Sequence, residues 1–66
     1  MRIIAQDTAQ LRFIVETKPK TGVVVDLNTS RVYGENSIIS ILARGYWALP
    51  TIDNKTKERV LNLAEG

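Results

Sequence analysis

Residues 22–48 read GVVVDLNTSRVYGENSIISILARGYWA and constrain the fold more than any other stretch. Val23, Val24 and Val25 form a β-branched run, and such side chains fit a pleated, buried surface. Asn28, Thr29 and Ser30 follow; their side chains bond to nearby backbone and stabilise a bend. Arg31, Val32 and Tyr33 read as a short return strand, so the two segments predict an antiparallel hairpin. Gly34 ends that hairpin. Asn36 or Ser37 is then placed to cap a helix, accepting from a backbone N–H of its first turn. Ile38, Ile41 and Leu42 fall at i, i+3 and i+4 on one side, and Ser37, Ser40 and Arg44 on the other, which predicts a helix over 37–44. Gly45 stands where a left-handed residue commonly ends a helix, with Tyr46 packing back on Ile41.

The flanks are read by the same rules. A short apolar stretch, Arg2 to Ala5, is followed by the polar segment Gln6 to Ala9. Leu11, Phe13 and Val15 then alternate onto one face of a strand, while Ile14 breaks the alternation and implies that part of the second face is covered too. These two stretches form either a hairpin or one bent strand. Pro19 fixes its own φ and biases Lys18 to extended geometry, so 17–22 is a loop with Gly22 supplying freedom at its exit. Beyond the aromatic pair, Pro50 keeps the chain extended. Asp53 or Asn54 caps a last helix over 55–64, with Val60, Leu61 and Ala64 on its apolar face and Leu63 at the edge. The fold expected is α+β: a three- to four-stranded antiparallel sheet with helices 37–44 and 55–64 packed on one face. A small SH3-like barrel with a C-terminal helix is the alternative if 37–42 is a strand.

Sixty-six residues make one domain at most. A chain of that size buries only about 60% of the surface its unfolded form exposes. Disulfides and metals often make up the shortfall, but this sequence has no cysteine and no histidine. An efficient core, a homo-oligomer or a partner protein remains. Neither a metal nor a cofactor is expected. Apolar residues make up 44% and charged residues 24%, which suits a globular domain rather than a disordered one. Nine bases against seven acids leave a net charge of +2, a weak electrostatic signal despite a pI of 9.3. Gln6 and Asp7 interrupt the only stretch that starts like a signal peptide. No run approaches the ~20 apolar residues of a membrane span. The expected location is the cytoplasm, with no membrane attachment.

Catalytic machinery is sparse. Without Cys or His the usual nucleophile–base constellations are missing. The carboxylates Asp7, Glu16, Asp26, Glu35, Asp53, Glu58 and Glu65 form no close pair in sequence. The four glycines match neither dinucleotide nor P-loop spacing. No enzyme is expected.

Two readings of function follow. The first is a non-enzymatic protein-binding module, an adaptor, inhibitor or regulatory subunit. It would act through an aromatic and apolar surface of Tyr33, Tyr46, Trp47 and Leu49 and through an edge strand near Arg31. Against a surface role, a lone tryptophan in so small a chain is wanted by the core. The second reading is nucleic-acid binding through a basic patch of Lys18, Lys20, Lys55, Lys57 and Arg59. Three of these cations crowd the first turns of the last helix, where the macrodipole disfavours them and a phosphate would offset the cost. Clustering separates the two. A basic face free of acids supports nucleic acid; interleaved acids beside an apolar aromatic patch support a protein.

Overall fold

The computed structural model describes residues 1–9 and 11–66. Strands β1 (Arg2–Asp7), β2 (Arg12–Lys18) and β3 (Thr21–Asp26) form an antiparallel meander. The first two stretches are thus a hairpin rather than one bent strand. Two short strands, β4 (Arg31–Val32) and β5 (Asn36–Ser37), pair with opposite ends of β3. They form one interrupted edge strand, and the Tyr33 amide donates to Val24 O at 2.9 Å within the interruption. The five-residue helix α1 (Ile38–Leu42) follows, then β6 (Trp47–Ala48), which pairs with β1 at the opposite edge. Helix α2 (Asn54–Glu65) completes the chain. Among the described residues the sheet therefore has six strands, in the order β4-β3-β2-β1-β6, with β5 beside β3. Three to four strands were expected. The extra two are segments of only two residues each, too short to show a period-2 pattern.

Alternation along the central strands builds two cores rather than one. Phe13, Val15, Val23 and Val25 point to one face, where Val60 of α2 packs among them with Leu27. Ile14 and Ala5 point to the other, where Ile41 of α1 and the partly buried Ile4, Val24 and Trp47 cover them. The two helices thus lie on opposite faces of the sheet, not on one face. A register shift between Ile3 and Ala5 puts the consecutive residues Ile4 and Ala5 in the second core, while Ile3 packs with the first.

Local chemistry accounts for the ends of these elements. Asp26 is buried and fully engaged. Its carboxylate accepts from the Asn28 amide at 2.9 Å, the Thr29 amide at 3.4 Å and Arg12 Nε at 3.3 Å. That side chain closes the β3–β4 turn, in which Ser30 takes a φ of 56°. The β2–β3 turn is tighter than expected, just Pro19 and Lys20, with Lys20 at φ 66°. Its Lys20 carbonyl accepts from the Ile38 amide at 3.0 Å and anchors the start of α1.

Gly22 belongs to β3, and its role is close approach rather than freedom at a loop exit. A Cβ there would sit 2.6 Å from the carbonyl oxygen of Val15. Ser37 caps α1, accepting from the Ser40 amide, and Asp53 caps α2, accepting from the Thr56 amide at 2.9 Å. Helix α1 stops at Leu42, short of the expected 44. Its cap, Ala43, is right-handed, and Gly45 does not adopt a positive φ, so the left-handed ending is absent. Among the described residues no helix is long and apolar enough to cross a membrane.

Candidate binding cleft

On the α1 side of the sheet a cleft of about 360 Å³ lies between the interrupted edge strand and the turn that follows α1. Alternation explains its floor and one wall. Arg12 shares a face of β2 with Ile14, and Val24 is the residue of β3 paired with Ile14. Arg12 and Val24 therefore emerge together on the α1 side. The gap between β4 and β5 supplies Tyr33 and Gly34, and the start of β5 supplies Asn36, as the second wall. Ile41, Arg44 and Trp47 close the third side.

Trp47 does two things here. Its ring packs with Ile14 and Ile41, which makes it part of the second core. It also lines the cleft. The indole Nε1 donates to Ile41 O at 3.2 Å, so strand β6 is tied to the body of α1. This is the contact expected of Tyr46, made instead by its neighbour. Tyr46 is turned outward and 85% exposed. The reason is the pleat: Trp47 pairs with Asp7 on β1 and faces the core, so adjacent residues face away.

The two guanidiniums differ. Arg12 is 40% exposed and its Nε is bound to the Asp26 carboxylate, which offsets its charge. Arg44 is exposed, and among the described residues it forms no ion pair. No carboxylate lines the cleft.

Of the aromatic and apolar residues expected to bind a partner, Tyr33 and Trp47 meet in this cleft although fourteen positions separate them. Leu49 is 83% exposed and lies elsewhere, beside Gln6, Thr8 and Thr51 at the β1–β6 edge. The basic residues are not gathered with the aromatics. Lys55, Lys57 and Arg59 are exposed on α2, which covers the opposite face of the sheet from Trp47. Lys18 stands 4.0 Å from Glu35, and Arg2 pairs with Glu16 at 2.8 Å. Lys20 is exposed at the β2–β3 turn.

In the sequence Arg44 stands out only on the polar side of a helix and Asn36 only as a cap. Strand alternation could have placed Arg12 beside Ile14. The position of Arg44 depends on how the chain turns after α1, for which no local pattern exists.

Comparison with protein-family models, with curated proteins and with solved structures finds no match to this chain.

Proposed function

We propose that the chain is a small, non-enzymatic protein-binding module that acts in the cytoplasm as an adaptor, inhibitor or regulatory subunit. One observation carries the reading: Tyr33 and Trp47, from different elements, converge on one cleft beside an interrupted edge strand. Aromatic side chains in a concave apolar site are the usual anchors of a protein interface. A sheet edge next to them offers backbone groups to an incoming segment. The gap at 33–35 and the two-residue strands on either side keep that edge from pairing indiscriminately along its length. Exposed Ile39, Tyr46 and Leu49 add apolar surface around the α1–β6 corner. Acids interleave with the bases of the sheet, in the pairs Arg2–Glu16, Arg12–Asp26 and Lys18–Glu35, which favours a protein over a phosphate backbone. The SH3-like alternative for the fold rests on a strand over 37–42; a helix over Ile38–Leu42 and two separate cores weigh against it.

The test is recovery of a partner from nuclease-treated extract with tagged wild-type chain and with Tyr33→Ala. The expected result is a discrete protein retained by the wild type and lost with the variant. Recovery that disappears on nuclease treatment, or that Tyr33→Ala leaves unchanged, contradicts the proposal.

A further inference from the structure

The inference rests on the protein-binding reading above and specifies the ligand. We infer that the cleft takes an extended acidic segment of another protein, with one apolar side chain on Val24, Ile41 and Trp47 and a neighbouring carboxylate held by Arg44.

Charge complementarity is the main ground. The lining contains two guanidiniums and no carboxylate. Arg12 is already engaged by Asp26, which leaves Arg44 as the group with unspent charge. A guanidinium's planar fork matches a carboxylate through two parallel hydrogen bonds. The floor is apolar, so a segment of acidic residues alone leaves the partly buried Val24 and Trp47 uncovered; one apolar residue among acids covers them. An extended backbone is favoured because Gly34 lies outside both β-bridges and lines the cleft. A nucleic acid fits less well. It needs a cationic track for successive phosphates, and the cations of α2 lie across the sheet.

The experiment is an NMR titration of the isotope-labelled full chain with three probes. They are the blocked peptide Glu-Asp-Leu-Asp-Glu, its neutral counterpart Gln-Asn-Leu-Asn-Gln, and a short oligothymidylate. The acidic peptide is expected to shift the Gly34, Asn36 and Arg44 amides and the Trp47 indole N–H saturably. The neutral peptide should bind about tenfold more weakly. Arg44→Ala should lose about fivefold in affinity, and Arg44→Glu more. Gly34→Val provides a second variant: a Cβ there meets no atom within 4 Å, so the fold should persist while the mouth narrows and affinity falls.

Equal binding of the two peptides overturns the assignment, as does an acidic peptide that shifts only signals outside the cleft. If neither peptide binds while the extract experiment still recovers a protein through Tyr33, the ligand chemistry fails and the protein-binding reading stands. Cleft shifts produced by oligothymidylate alone, with no protein recovered, overturn both.

Discussion

The indole Nε1 of Trp47 donates to the carbonyl oxygen of Ile41 across 3.2 Å, joining the last strand of the sheet to the short helix that covers it. The bond fixes one wall of the cleft and satisfies a half-buried donor. Trp47→Phe keeps an aromatic ring but loses the bond and part of the indole's packing. It should destabilise by about 1–2 kcal/mol. Trp47→Ala also removes packing on Ile14 and Ile41 and should cost about 3 kcal/mol. Urea unfolding of both variants checks the difference.

Gly22 and Gly34 should respond in opposite ways to the same change. Gly22→Ala drives a methyl to 2.6 Å from the Val15 carbonyl, in the middle of the sheet, where backbone must move to admit it. A loss of about 2 kcal/mol is expected. Gly34→Ala meets open space and should be neutral or slightly stabilising, since alanine restricts the unfolded chain. Thermal melts of the two variants suffice.

Asp26 should matter more than the arginine it binds. Asp26→Ala strips the acceptor from two turn amides and from Arg12 at once, at a cost of about 2–3 kcal/mol. Arg12→Ala leaves the buried Asp26 carboxylate with both amide donors and should cost less, about 1 kcal/mol. Equal losses in denaturant titrations of the two variants contradict this ordering.

The cap of α2 carries a pH signature. Bonds from Thr56, its side chain first and its backbone amide second, hold the Asp53 carboxyl below its ordinary value of 3.8. A group with a lowered folded pKa contributes stability that is present above the unfolded value and lost as pH falls through the folded value. Asp53→Asn should therefore narrow the acid dependence of the melting temperature below pH 3.8, with no change in its slope near neutrality. Parallel melts of wild type and variant across that range are the check.

Much of the fold is legible in the sequence because it rests on local chemistry. The valine run, the β3–β4 turn, the Ser37 and Asp53 caps and the apolar side of α2 all follow from residues close in the chain. Ile14 signals the second covered face by breaking the alternation of β2. Which helix covers which face is not local. It depends on the register shift at Ile4 in β1, and on β6 crossing to the far edge, neither of which leaves a pattern in neighbouring residues. The cleft is legible only in part for the same reason. Tyr33 and Trp47 stand out by type, but their meeting depends on the gap in the edge strand and on the turn after α1. The left-handed ending expected at Gly45 does not form, and Gly45 instead lies close under the indole of Trp47. A Cβ there would lie 3.0 Å from the indole nitrogen of Trp47.

The most direct test of the binding cleft is photo-crosslinking in the producing cells, with a benzophenone side chain placed at Tyr33 or, as a control, at Glu58 on the exposed side of α2. One discrete protein adduct is expected from position 33 and none from position 58. A nucleic-acid adduct at position 33, or equal protein adducts at the two positions, would contradict a protein-binding cleft.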